Sequence, residues 1–143
     1  MFSLHPQLQQ DCFEVGRFEL SLLLLMNDSR YPWLILVPCR AGVREVYELA
    51  MPDRLQLARE SGLLAESLAR GYGAHKMNIA ALGNVVEQLH VHHIVRYRDD
   101  EAWPAPVWGR GTARPYGPAQ RETMLERLCA ILPDGFRSGP SHA

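Results

Sequence analysis

The chain has 143 residues, a length that fits a single domain. Hydrophobic residues make up 47% of it, which is enough to bury a core at this size. The formal net charge of −1 gives no support to a nucleic-acid or polyanion partner.

The N-terminal residues show no basic region followed by an apolar one, so no signal peptide is predicted. The longest apolar run, LLLLM at 22–26, is far shorter than the roughly 20 residues that a membrane-spanning helix needs. Cys12, Cys39 and Cys129 form no CxxC pair, which indicates reduced thiols. We therefore predict a cytoplasmic protein with no membrane partner.

Residues 12–38 are typical of three consecutive β-strands. Gly16 and Arg17 suit a tight link between the first two strands, and a polar turn precedes the third. Because the runs at 21–26 and 33–37 are continuously apolar, we expect these strands to be central and covered on both faces.

A long helix is predicted from Pro52 to about Arg70, where apolar residues recur at helical spacing and the glycines of GYG then end it. Two further strands are predicted at 75–82 and 89–97, followed by a helix at 119–132. Because hairpins follow one another without strand–helix alternation, the order predicts an α+β fold. It comprises an antiparallel sheet of about five strands, with one long helix between strands 3 and 4 and a C-terminal helix.

The part of the chain after residue 105 is predicted to belong to the same domain as residues 1–105. Residues 106–143 combine an irregular segment rich in Pro, Gly and Trp with the C-terminal helix. The last residues, from 133 onwards, are expected to form a frayed tail.

The segment QLHVHHIVR, at 88–96, carries three histidines. Side chains on a strand alternate between its two faces. Gln88, His90 and His92 should therefore share one face, while His93 should point the other way with the apolar residues. The three histidines are thus not expected to converge.

Two histidines on one face could also be metal ligands or simply a polar strand face. A metal site needs three or four ligands, which distant residues such as His5 or His75 would have to complete. The chain has no CxxC or HExxH motif to support this, and we predict no metal and no cofactor.

The stretch GNVVEQLHVHHIVR resembles the histidine triad family of nucleotide hydrolases and transferases, and in particular its bacterial branch of diadenosine polyphosphate hydrolases. The family pattern is roughly Gly-Gln-x-Val-x-His-x-His-x-His followed by two apolar residues. The residues on its polar positions and its glycine are Gly83, Asn84, Gln88, His90 and His92. Gln88 thus replaces the first histidine, and Asn84 replaces a glutamine that contacts phosphate.

The resemblance covers about residues 12–105. Asn27 matches a residue that contacts the ribose, and Asn78 matches an asparagine on a strand that approaches the active site. The Gly-His pair usual before the third strand is replaced by Pro32-Trp33. Asn27 and Asn78, with Gly83 and Asn84, are therefore the predicted substrate-binding residues, although an ordinary turn or structural role remains open for the asparagines.

The resemblance implies that His90 attacks the α-phosphorus of a nucleotide and forms a nucleotidyl-imidazole intermediate. This role requires a neutral ring with one free nitrogen, while an acceptor such as a backbone carbonyl holds the other. His92 would donate to a non-bridging oxygen. Gln88 cannot titrate, so it could only donate its amide to phosphate.

Other polar and aromatic residues near the motif have weaker expectations. Arg96 and Arg98 could steer an anionic substrate, although the acidic residues that follow could neutralise them. Trp103 and Trp108 are expected to pack internally or at a dimer contact.

The resulting prediction is a homodimeric nucleotide hydrolase or nucleotidyl transferase that acts at the α-phosphate of nucleoside phosphoanhydrides, with hydrolysis of dinucleoside polyphosphates as the favoured reaction. Two alternatives remain open. One is a nucleotide-binding module with little catalysis, because the first histidine is lost. The other is a small metal-binding protein.

Overall fold

The strands and helices that the sequence predicts occur in the predicted order, with a short N-terminal helix and a sixth strand in addition. The computed structural model describes residues 1–139. Its elements are α1 (Pro6–Asp11), β1 (Cys12–Arg17), β2 (Ser21–Met26), β3 (Trp33–Pro38), a 3₁₀ turn (Val46–Glu48), α2 (Met51–Tyr72), β4 (Lys76–Ala80), β5 (Val91–Arg96), α3 (Pro118–Ile131) and β6 (Arg137–Ser138). The predicted α+β class is confirmed, with α2 as the long helix between the third and fourth strands.

The strands form one antiparallel sheet in the order β4-β5-β3-β2-β1-β6. Every residue of β3 is buried, and in β2 only Met26 is partly accessible. The prediction that these apolar runs form central, doubly covered strands is confirmed. β4 forms one edge of the sheet and leads back into β5, so it sits close to the histidine segment.

The expected tight link at Gly16 and Arg17 is wrong, because both residues lie within β1. The chain turns after them, where the Phe18 N–H donates to the Ser21 carbonyl at 2.8 Å. β1 shifts register between Glu14 and Gly16. A side chain at Gly16 would meet the Arg137 carbonyl, so the glycine allows a close strand approach rather than a turn.

The expected frayed tail is wrong for part of its length. Arg137 and Ser138 form β6 and pair with Arg17 and Gly16 of β1. The remaining residues of that prediction, 140–143, lie outside the described residues. Sequence patterns also missed α1, because a six-residue helix is too short to show helical periodicity.

Each face of the sheet has its own hydrophobic core. On one face, α2 contributes Leu57, Leu64 and Leu68, which belong to the same cluster as Val91 and Val95 of β5. The opposite face carries Trp33, Ile35 and Ile94, together with Leu8 from α1 and Val107 from the irregular segment. The N-terminal segment and the irregular segment after β5 therefore meet on the face opposite α2, whereas Leu128 of α3 belongs to the α2 cluster.

Glu60 of α2 departs from the predicted helix pattern. The spacing places it off the apolar stripe, yet it is buried. Its carboxylate accepts hydrogen bonds from the Leu20 N–H and the Gln56 amide, both at 2.8 Å. These donors offset part of the cost of burying the group.

The described chain contains no helix that is both long and apolar enough to cross a membrane. Cys12, Cys39 and Cys129 are all free thiols.

Candidate active site

The histidines of the QLHVHH segment divide between the two faces of the sheet. His92 pairs with Ile35 of β3, and His93 pairs with Leu34. Directly paired residues share a face, and Ile35 and Leu34 belong to the two opposite cores. The rings of His90 and His92 lie together, 4.9 Å apart. The predicted separation of His93 from the other two is confirmed.

His90 has one ring nitrogen held and one free to react. Its Nδ1 lies 2.7 Å from the Gln88 carbonyl oxygen. Because a carbonyl can only accept, Nδ1 must carry the proton, and the lone pair of the neutral ring is on Nε2. The side chain is 7% exposed. The expected backbone acceptor is therefore present, in the residue two positions before His90.

His92 has the opposite arrangement of its ring proton. The indole N–H of Trp33 donates to Nδ1 of His92 at 2.9 Å. Burial lowers the pKa of His92 to about 3, helped by the nearby His90 and His93. A neutral His92 with an occupied Nδ1 lone pair carries its proton on Nε2, where it can donate to a substrate oxygen.

His93 uses both ring nitrogens inside the core. Nδ1 donates to the Val91 carbonyl at 3.0 Å, and Nε2 accepts from the Ser61 hydroxyl of α2 at 2.7 Å. Burial lowers the pKa of His93 to about 4, so the ring is neutral. With no free nitrogen and no solvent exposure, His93 links the sheet to α2.

The Gln88 amide ties the N-terminal segment to the histidine segment. Its Nε2 donates to the Ser3 carbonyl at 2.8 Å, and its Oε1 accepts from the His5 N–H at 2.9 Å. Because an amide nitrogen carries two N–H groups and the Ser3 carbonyl takes one, the predicted donation to phosphate stays a prediction.

Two tryptophans enclose the ring of His92. Trp33 lies 5.7 Å away between ring centroids, and Trp108 lies 5.0 Å away. Sequence reasoning assigned Trp108 to packing or a dimer contact and gave Trp33 no role. The replacement of Gly-His by Pro32-Trp33 was the one available signal for Trp33.

A cavity of about 430 Å³ opens beside these two tryptophans. Asn27 and Met26, at the end of β2, also line it. The Asn27 Oδ1 accepts from the Tyr116 N–H at 2.8 Å, so this oxygen already has a partner. The volume falls in the range of small-molecule sites.

The family model of the HIT domain matches residues 7–99. The chain belongs to the HIT family. A histidine triad protein from Sinorhizobium meliloti is 45% identical, with 92% of this chain and 98% of that one covered and a TM-score of 0.90. Another from Marinobacter aquaeolei is 47% identical, covering 92% and 96% at a TM-score of 0.90.

A third histidine triad protein, from Bradyrhizobium japonicum, is 37% identical, with 92% and 98% of the two chains covered and a TM-score of 0.89. None of the curated proteins matches the chain. HIT proteins are a family of nucleotide hydrolases and transferases, and this assigns the chain to that broad class.

The remaining predicted binding residues of this HIT protein lie in different settings. Gly83 adopts a positive φ of 79° in the loop before the histidines, and Asn84 beside it is exposed. Asn78 of β4 instead accepts from the Arg96 guanidinium at 2.7 Å. This buried cation occupies the carbonyl oxygen of Asn78, which agrees with the structural role left open for the asparagines, and the predicted contact with substrate stays a prediction.

The suggestion that Arg96 steers an anionic substrate is wrong. The side chain is 1% exposed and pairs with Asp100 at 2.8 Å. It also donates to the Ala105 carbonyl at 2.9 Å. The neutralisation by a following acidic residue, noted as an alternative, is the arrangement found. Arg98 donates to the His75 ring at 3.0 Å.

The distant ligands suggested for a metal site do not join His90 and His92. His5 accepts from the Gln7 N–H at the start of α1, and His75 is engaged by Arg98. Among residues 1–139, no three His, Cys, Asp or Glu side chains are grouped so as to hold a metal ion.

Proposed function

We propose that this HIT protein is a nucleotide hydrolase or nucleotidyl transferase that acts at the α-phosphate of a nucleoside phosphoanhydride. The observation that carries the proposal is the pair of complementary tautomers on one face of the sheet. His90 presents a free Nε2 lone pair, and His92 presents an Nε2–H donor, with the rings 4.9 Å apart.

In the proposed reaction, Nε2 of His90 attacks the α-phosphorus. The bond from phosphorus to the bridging oxygen breaks, and the leaving phosphate takes the electron pair. His92 donates its Nε2–H to a non-bridging oxygen, where negative charge develops. Water then attacks the nucleotidyl-His90 adduct, releasing a nucleoside monophosphate and a proton and restoring the ring. The cavity beside Trp33 and Trp108 is the proposed nucleoside site.

The proposed substrate class follows from Gln88, which lies two residues before His90. Gln88 cannot protonate a leaving group, and its amide binds the Ser3 and His5 backbone. The leaving group should therefore depart as a stable anion. Phosphoanhydrides, with dinucleoside polyphosphates among them, meet this requirement better than phosphoramidates, whose amine needs a proton.

A single-turnover experiment tests the proposal. Protein in excess is mixed with a dinucleoside polyphosphate labelled at the α-phosphorus, and a nucleotidyl-protein adduct is measured after denaturation. We expect the adduct to form before the monophosphate appears. Tight nucleotide binding with neither adduct nor product would instead support a binding module.

Histidine in place of Gln88 is expected to widen the range of leaving groups. The variant places a titratable donor beside His90, so hydrolysis of a nucleoside phosphoramidate should rise about tenfold or more relative to the phosphoanhydride. Rates on both substrates provide the measurement. The matched control is Gln88→Ala, which also breaks the contacts to Ser3 and His5 but adds no acid. An equal gain in both variants would contradict the acid explanation.

We also propose that the protein is a homodimer. Large apolar side chains are exposed on the turn before α2 and on α2 itself, and Leu55 among them is 66% exposed. Ile79 on the edge strand β4 is also exposed. Exposed apolar side chains and an edge strand both favour self-association.

The dimer proposal predicts that Leu55→Glu lowers the mass in solution. Wild-type protein should sediment at twice the 16.2 kDa of the chain at micromolar concentration, and the variant should shift towards the monomer. Ala130→Glu, on the exposed side of α3, adds the same charge elsewhere and should remain dimeric. A wild-type monomer would refute the proposal.

A further inference from the structure

We propose that Trp33 is a positioning residue for the reaction: its indole N–H fixes His92 in the tautomer that offers Nε2–H to the substrate phosphate. This inference rests on the proposed function, which gives His92 the task of stabilising charge on a non-bridging oxygen.

The hydrogen bond itself determines where the proton of His92 lies. The indole nitrogen of Trp33 is 2.9 Å from Nδ1 of His92. A tryptophan N–H can only donate, so Nδ1 must accept and cannot carry a proton of its own. In a neutral imidazole the proton is then on Nε2. Without Trp33, the proton could move to Nδ1, leaving an Nε2 lone pair that would repel a phosphate oxygen.

Because His92 is neutral at pH 7, its tautomer determines which ring nitrogen can donate a hydrogen bond. Burial keeps the ring neutral, with a pKa of about 3. A cationic ring would donate from both nitrogens and would need no fixing. A neutral ring donates from one nitrogen alone, so the residue that chooses that nitrogen controls the function of His92.

Trp33 is itself held in place by the sheet. It is the first residue of β3, pairs with Ile94 of β5, and is 5% exposed. Its ring makes edge contacts with Tyr31 at 6.4 Å and Trp108 at 5.7 Å. The donor is thus oriented before substrate arrives, which is the condition for a charge-stabilising group to act without reorganisation.

Trp108 provides a matched control. Its ring contacts His92 at 5.0 Å, closer than the 5.7 Å of Trp33, but the hydrogen bond to Nδ1 comes from Trp33. Trp33→Phe and Trp108→Phe therefore make the same reduction in aromatic ring size beside His92, and only the first removes this hydrogen bond.

The test combines nitrogen NMR of the histidine rings at pH 7 with single-turnover adduct formation. In wild-type protein, Nδ1 of His92 should be unprotonated. In Trp33→Phe, a population protonated at Nδ1 should appear, and adduct formation should slow by about tenfold to a hundredfold. Because Trp33 also lines the proposed nucleoside site, substrate affinity is measured separately, and the loss in rate should exceed the loss in affinity. Trp108→Phe should retain the wild-type tautomer.

Three results would overturn the assignment. These are a wild-type His92 protonated at Nδ1, a Trp33→Phe variant with unchanged tautomer, and the same tautomer change in both variants. The wild-type spectrum decides the first even if Trp33→Phe does not fold. If wild-type protein forms no adduct at all, the proposed function fails, while the spectra still show whether Trp33 sets the tautomer.

Discussion

Alanine in place of His90 is expected to abolish the nucleotidyl adduct and to reduce turnover by at least about a thousandfold. His90 alone among the three motif histidines offers a free ring nitrogen to the substrate face. In His92, Nδ1 accepts from Trp33 and Nε2 is protonated, so that ring is a donor. Its removal in His92→Ala should slow adduct formation about a hundred- to a thousandfold, the usual loss for a charge-stabilising group.

The control for this prediction is the third histidine. His93→Val, combined with Ser61→Ala so that no hydroxyl loses its partner, should leave adduct formation nearly unchanged. All variants are compared by single-turnover kinetics, with circular dichroism to show that each is folded. A folded His93 variant as inactive as the His90 variant would contradict both the assignment of the faces and that of the nucleophile.

The division of the histidines could be predicted from sequence because strand periodicity is a local property. Alternation alone separates His93 from His90 and His92, and the pairing with β3 then agrees with it. The requirement for an acceptor at His90 was equally local, and the Gln88 carbonyl two residues away meets it. The order of the five predicted strands and two predicted helices, read from apolar runs and amphipathic patterns, also matched the structure.

The contacts that complete the site could not be predicted because they join distant parts of the chain. Gln88 binds Ser3, which is 85 residues away. Ser3 lies in an N-terminal segment whose sequence shows no strand or helix periodicity. Trp108 reaches His92 from the irregular segment after β5. Composition shows that such segments exist, but their path depends on the packing of the whole face.

Arg96 shows a different limit, in which the sequence allowed two interpretations. Its position on the site face was consistent with substrate steering, and Asp100 lay four residues on. The structure buries the pair together, at 2.8 Å, with the Arg96 guanidinium over the rings of Tyr31 and Trp103. Burial of this cation thus involves side chains outside β5, which the local pattern around Arg96 does not reveal.

Acid is expected to destabilise the fold well before Asp28 and Asp100 titrate. Burial lowers the pKa of His92 to about 3 and that of His93 to about 4, from an ordinary 6.5. Well above pH 6.5, His92 and His93 are neutral in both the folded and the unfolded chain, so these two residues add no pH dependence. As the pH falls below 6.5, these two histidines bind protons in the unfolded chain but not in the folded chain. The free energy of unfolding therefore declines until the pH reaches the folded pKa values.

Between pH 7 and pH 5, the free energy of unfolding is expected to fall by about 2 kcal/mol for each of the two histidines, or by about 4 kcal/mol together. Burial by itself would raise the pKa values of Asp28 and Asp100. Hydrogen bonds from Arg30 to Asp28 and from Arg96 to Asp100 nevertheless hold both pKa values below their ordinary 3.8. These carboxylates therefore stay ionised across this interval and do not contribute to the loss. Urea unfolding at the two pH values gives the free energies directly.

The His93→Val and Ser61→Ala double variant separates the two histidines. It removes one of the groups with a depressed pKa, so its loss between pH 7 and pH 5 should fall to about 2 kcal/mol. A wild-type loss below about 1 kcal/mol would mean that both rings accept protons in the folded state. His92 would then be cationic at mildly acidic pH and would donate from both nitrogens, which is incompatible with a ring whose Nδ1 accepts from Trp33.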